Sequence, residues 1–297
     1  MSNSDFRITL LGTGTPVPRP DRFGPSTLVE AGDQTLLIDA GRGATIRLYQ
    51  LGIPIGRVDA LLLTHYHSDH TVGIPDLWLI GWLQSHFGTR VRPLRVIGPT
   101  GARTLMSSLE KAYADDIKIR MADENLPPEG VAVDVEEFDS DRVVYDKNGV
   151  KVIAFEVDHG DVIKPAYGYR IEYGGRVAVI SSDTRYNENV VKYGTGADLL
   201  IHEVAIVRPE LMAIDYIQRI MAHHTTAQEA GVVFARTKPK LAAYTHLVFL
   251  ANEKVPPADM ADLIAETRQT YDGPLEVGED LMSFEIGDTV TVRRHRA

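Results

Sequence analysis

The chain has 297 residues, 44% apolar and 24% charged, with 41 acids against 31 bases and a net charge of −10. It contains no cysteine, which excludes disulfides, thiolate nucleophiles and thiolate zinc sites. Lys and Arg are scattered, which counts against a nucleic acid partner, and with no signal peptide and no apolar run near the ~20 residues of a membrane span, the expectation is a cytoplasmic protein with no membrane partner.

In chain order, a strand is expected over residues 7–11, then a loop over 15–25 marked by Pro16, Pro18, Pro20 and Pro25. Gly12-Thr13-Gly14 lacks dinucleotide and P-loop spacing and reads as a turn or pocket wall. Residues 27–31 and 34–38 form a hairpin at Gly32-Asp33. Asp39-Ala40-Gly41 ends it, and 42–51 is a helix. Residues 58–64 are a buried strand, 73–87 an apolar helix, 94–98 a strand, and 100–113 a helix capped by Thr100. Between 117 and 158 the pattern turns to β, with strands at 117–121, 131–138, 142–145 and 150–157 in a mostly antiparallel sheet. A hairpin over Gly174-Gly175 pairs 167–173 with 176–181. Then come a strand at 198–201, helical spacing over 209–220, a helix at 225–235, a strand at 241–245 and a helix at 257–271. Two short strands flank Gly287-Asp288. With no linker visible, this predicts one α/β domain, 1–297: a four-layer αββα sandwich of two mixed β-sheets with helices outside.

The densest chemistry is Thr64-His65-Tyr66-His67-Ser68-Asp69-His70. His65 and His67 are two apart, so an extended backbone points both the same way. Asp69 and His70 are adjacent, and a bend there aims them at different atoms. One loop can thus serve two metals, and imidazole with carboxylate suits zinc in a catalytic setting. His159, Asp183 and His246 each end an apolar strand. Strand ends of layered α/β folds converge on one edge, where sites form.

The HxHxDH run resembles the signature of the metallo-β-lactamase superfamily. Downstream, Tyr167-Gly168-Tyr169-Arg170, Ser182-Asp183-Thr184, His202-Glu203, His224-Thr225-Thr226-Ala227 and Thr245-His246 are similar to the ribonuclease Z and arylsulfatase-like branch. So are Leu11-Gly12-Thr13-Gly14-Thr15-Pro16 and Asp39-Ala40-Gly41. The resemblance implies a pair of Zn2+ ions, with Mn2+ or Fe acceptable to the same donors. His65, His67 and His159 would hold one, Asp69, His70 and His246 the other, with Asp183 bridging and a hydroxide between them. Asp39 would orient a ligand imidazole. Asp69, Glu203 and His224 form the implied catalytic set, Glu203 orienting His224 to protonate the leaving group. His223 is a rival donor, and the spacing to Thr225-Thr226-Ala227 favours His224. His86 and His295 read as surface or structural, and His202 has no assigned role. The family also suggests a homodimer.

Bacterial enzymes that trim tRNA carry a long basic arm between the two segments that here are Gly168-Tyr169-Arg170 and Ser182-Asp183-Thr184. Only residues 171–181 lie between Arg170 and Ser182 in this chain. The leading expectation is therefore a dinuclear hydrolase of a small-molecule ester, an aryl sulfate or phosphodiester, with promiscuous lactone or β-lactam turnover. The alternatives are a ribonuclease Z-type tRNA 3′-end endonuclease without the arm, or a metal-holding sensor or scaffold. Two apolar stripes, one with Trp78, Trp82 and Phe87 and one from Leu211 to Met221, read mostly as helix core, with part of the second walling the site.

Overall fold

The computed structural model describes residues 5–295. The strands are β1 (Phe6–Gly12), β2 (Ser26–Ala31), β3 (Gln34–Ile38), β4 (Ala60–Leu62), β5 (Leu94–Pro99), β6 (Val133–Phe138), β7 (Arg142–Lys147) and β8 (Val150–Glu156). They continue with β9 (Tyr167–Tyr173), β10 (Arg176–Ile180), β11 (Leu199–Val207), β12 (Leu241–Leu250), β13 (Leu275–Val277), β14 (Ser283–Ile286) and β15 (Val290–Arg293). One sheet has the order β15-β14-β1-β2-β3-β4-β5-β6, the other β13-β12-β11-β10-β9-β8-β7. Both are mixed: β3 to β6 and β10 to β13 are parallel, and the remaining pairs antiparallel.

Three apolar clusters define the four layers. One lies between the sheets, uniting Ile8, Leu36 and Leu62 of the first with Tyr169, Ile201 and Ala243 of the second. The other two sit on the outer faces: Leu48, Trp78 and Met106 cover the first sheet, and Phe234, Val190 and Leu263 the second. Each large side chain removed from water in these layers contributes about 1.5–3 kcal/mol. This is the αββα sandwich expected from the sequence.

Several elements differ from expectation. Residues 117–121 are not a strand but part of the helix Ala114–Asp123. Their Ile-Lys-Ile-Arg-Met alternation imitates a strand, yet none of the helix is buried. Asp115 and Asp116 favour a helix N-terminus, and Arg120 pairs with Asp116 and Glu124 at i,i+4 spacing. β6 is not in the antiparallel sheet but extends the first sheet, parallel to β5. Thr100 does not cap the next helix, which runs Ala102–Ala112 from Gly101. Glu137, from β6, accepts from the Gly101 and Arg103 amides at 2.8 and 3.0 Å instead. The apolar helix ends at Trp82, the 209–220 segment breaks into a 3-10 turn at Pro209–Leu211 and an α-helix at Asp215–Met221, and β13 had no signal in the sequence. Among the described residues, no helix is long and apolar enough to cross a membrane.

Candidate active site

After β4 the chain stays extended to His67 and then turns into the short helix Ser68–Thr71. His65 Nε2 and His67 Nδ1 lie 3.1 Å apart. His159 Nε2 comes within 3.3 Å of His67 Nδ1 from the loop after β8. Asp183 Oδ2, past the end of β10, is 4.0 and 3.7 Å from the His65 and His159 Nε2 atoms. The same oxygen is 3.4 Å from His70 Nε2 and 3.2 Å from His246 Nε2. Asp69 Oδ2 completes that second group at 3.7 and 3.4 Å from the same two nitrogens. An ion bound tetrahedrally at about 2.0–2.1 Å keeps its ligand atoms roughly 3.3 Å apart. All seven predicted ligand residues are thus brought together, in two groups of metal-binding spacing that meet at one carboxylate oxygen.

The protonation states fit the same reading. Burial pushes the pKa of His159 down to about 4; burial and then the neighbouring His70 push His65 well down. Burial also lowers His67. Burial thus favours the neutral imidazole at all three positions, the form that binds a divalent cation. Burial opposes a charge on His70, yet Asp183 and Asp39 raise its pKa well above the usual histidine value. Positive charge is stabilised at that spot.

The far sides of the rings are held too. Asp39 Oδ2 accepts from Thr64 Oγ1 at 2.7 Å and from His70 Nδ1 at 2.7 Å. A carboxylate only accepts, so the Thr64 proton goes to Asp39 and the Thr64 oxygen is free to accept from His65 Nδ1 at 3.0 Å. His159 Nδ1 donates to the His223 carbonyl at 2.8 Å. At His65 and His159 the contact selects the tautomer with Nε2 bare toward the cluster, and at His70 it turns Nε2 toward the cluster. His246 Nδ1 has no hydrogen-bond partner among the described residues.

Backbone conformation does the remaining aiming. Asp39, Ser182 and His246 all have positive φ, at 57°, 59° and 44°, a region that non-glycine residues rarely occupy. The β11–β12 register slips by one after Glu203–Thr245, so His246 is the extra residue of a bulge. Bulges redirect side chains beside sites. β12 does not end at Thr245 as expected; it continues to Leu250, and the bulge inside it turns His246 inward.

Glu203 is fully buried on β11. Its Oε2 is 3.2 Å from His224 Nδ1, and its Oε1 accepts from the Thr225 and Thr184 amides at 2.9 and 3.3 Å. Burial disfavours a charged His224, but the Glu203 carboxylate more than offsets this and raises its pKa above the usual histidine value. Glu203 pairs with His224 and not with His223, whose Nδ1 is buried without a partner among the described residues. His224 borders both groups, its ring 5.1 Å from that of His159 and 5.6 Å from that of His246. Such a pair can hold a proton near neutral pH and release it to a leaving oxygen.

His202 is buried against Phe234, with Nδ1 2.7 Å from the Glu203 carbonyl. His86 and His295 are exposed. Trp78 and Trp82 are core residues, their indole nitrogens donating to the Val131 and Pro127 carbonyls at 2.8 Å. From the second stripe, Ile220 lines the site cavity. The sequence reading assigned no role to the Thr64 hydroxyl, the His223 carbonyl or the bulge. Thr64, directly before the first ligand, was the one signal available; a backbone carbonyl and a register slip leave none.

The sequence model of the family described as Anti-Pycsar protein Apyc1 matches residues 6–216. A ribonuclease Z of Mycobacterium marinum is 36% identical over 289 residues, covering 95% of this chain and 99% of the relative. The chain belongs to the metallo-β-lactamase-fold hydrolases, among the Apyc1 and ribonuclease Z sequences. The short form of human tRNase Z superposes with a TM-score of 0.69 at 22% identity, covering 93% of this chain and 98% of that one. The Zn2+-bound PqqB of Methylobacterium extorquens superposes at 0.64 and 15% identity, covering 94% and 100%. The metallo-β-lactamase fold protein YhfI of Bacillus subtilis superposes at 0.69 and 19% identity, covering 94% and 98%, and these likenesses show the fold. The mycobacterial alignment spans nearly all of both chains in 289 positions. Neither hydrolase therefore holds a long arm that the other lacks.

Proposed function

We propose that this hydrolase is a dinuclear metal-dependent phosphodiesterase of the ribonuclease Z type, cutting near the 3′ end of an RNA such as a tRNA precursor. The observation that carries it is the Asp183 oxygen shared by two donor groups, with the Glu203–His224 pair beside both. Curated relatives named ribonuclease Z match across almost the whole chain, and none supports an aryl sulfate as substrate. They also weaken the case against nucleic acid made from the acidic balance, the scattered Lys and Arg and the missing arm.

His65, His67, His159 and Asp183 would hold one ion, and Asp69, His70, His246 and Asp183 the second. Zinc suits these donors, and Mn2+ or Fe would accept them. Bound there, such a pair supplies an activated water and polarises the phosphoryl oxygen. The chain's own groups handle the protons. Asp69 takes a proton from the attacking water as its oxygen bonds to phosphorus. His224, steadied at Nδ1 by Glu203, gives its other ring proton to the leaving oxygen as the P–O bond breaks. The products are a phosphomonoester and a free hydroxyl.

The test is a tRNA precursor with a 3′ trailer and bis-p-nitrophenyl phosphate, each with zinc- or manganese-loaded protein. Cleavage of both, lost in Asp69→Ala, is expected. If neither is turned over, the reading fails. A small phosphodiester as the true substrate is favoured by one feature, the bare β9–β10 hairpin where an arm would stand. Turnover of the nitrophenyl ester without RNA cleavage selects that reading.

A further inference from the structure

The cavity in front of the two donor groups has a volume of about 280 Å³ and two unlike sides. His67, Asp69, Asp183 and His246 form one, with His223 and His224 at its edge. The other is aliphatic: Val17 from the Pro-rich loop, Ile220 from the helix Asp215–Met221, and Val248 and Leu250 from β12. Val248 and Leu250 follow the bulge at His246 on the same strand, and all three line the cavity.

No Lys or Arg lines this cavity. A second phosphate beside the scissile one would find no counter-charge there. The group that sits against the wall is neutral and presents a broad apolar face. A nucleobase has that character, and it carries polar edges besides. His223 lines the same cavity, its Nδ1 is buried without a partner among the described residues, and a buried polar atom of this kind calls for a hydrogen-bonding partner.

We infer that Val17, Ile220, Val248 and Leu250 form a slot for the nucleobase adjoining the scissile phosphate, with His223 meeting the polar edge of that nucleoside. The inference rests on the phosphodiesterase reading above and names the subsite that reading lacks. It makes residues 17 and 220 determinants of specificity.

Titration calorimetry of the zinc-loaded protein with AMP and with ribose 5-phosphate tests it. The two ligands share phosphate and sugar, so their ratio isolates the base. AMP is expected to bind roughly 10-fold tighter, as burial of one face of the base against aliphatic side chains supplies. Ile220→Ser and Val17→Ser should each shrink that ratio several-fold, and Ile220→Leu should keep it. Val17 is 64% exposed, so its substitution does not threaten the fold. Equal affinities in the wild type, or a ratio that survives both serine changes, overturn the slot. Because the readout is binding, absence of phosphodiester turnover would defeat the functional reading separately.

Discussion

The two donor groups share Asp183 and differ in how the fold supports the rest. In the group with Asp69 and His246, His70 leans directly on the Asp39 carboxylate at 2.7 Å. In the group with His67 and His159, His65 reaches the same carboxylate only through the Thr64 hydroxyl. His159 rests on a backbone carbonyl, whereas His246 is placed by a bulge and has no partner for Nδ1 among the described residues. Four imidazoles are thus aimed by four devices: charge, relay, carbonyl and backbone. The His70 group depends most on a charge, and the His65 group most on neutral hydrogen bonds. The first should therefore be the more easily broken by a single substitution.

The largest effect abolishes the comparison. Asp183→Ala removes the oxygen common to both groups, so both ions should be weakened by more than the roughly 10- to 100-fold typical of losing a ligand's outer partner. Metal analysis after dialysis should show fewer than two ions per chain, and diester turnover should vanish. Two retained ions would show that the groups are independent.

The next effect concerns His224, which borders both groups. His224→Ala should cost roughly 10²–10⁴-fold on a ribose leaving group and much less on p-nitrophenolate, which leaves without a proton. Its pKa stands above the usual histidine value because Glu203 outweighs the opposing effect of burial. A proton donor works while protonated, so kcat/KM on RNA should hold below that pKa and fall as pH rises through it. Glu203→Gln removes the raising influence and should bring the fall to lower pH. A pH profile unmoved by Glu203→Gln would remove Glu203 from that role.

How much of this was legible in the sequence follows from how local each device is. His65, His67, Asp69 and His70 lie in one loop, where period-two spacing and a turn suffice to read them. His159, Asp183 and His246 were readable as strand ends, and the convergence of strand ends gave their meeting place. β12 nevertheless does not stop at Thr245. Its pairing partner slips by one residue, and that depends on β11, some forty residues away, so no local pattern announces it. The helix Ala114–Asp123 was misread for the opposite reason: its alternation is real but faces solvent, and i,i+4 ion pairs decide the conformation. The aliphatic wall could be named only as a stripe between motifs. Which of its residues face the site depended on the break that confines the helix to Asp215–Met221.

The smallest effects sharpen the comparison most. Asp39→Asn keeps the size of the side chain but removes the charge on which His70 leans. It should weaken the ion held by Asp69, His70 and His246 roughly 10- to 100-fold, and the other ion less, since Thr64 stands between. Thr64→Val keeps the shape and deletes only the relay. His65 then loses one neutral hydrogen bond, worth about 0.5–1.5 kcal/mol, so the ion held by His65, His67 and His159 should weaken only a few-fold. His70 keeps its own bond to Asp39, and its ion should bind as before. Stepwise chelator competition resolves the two sites. If Thr64→Val weakened both ions equally, Asp39 would be acting on the loop as a whole, and the distinction between direct and relayed support would fall.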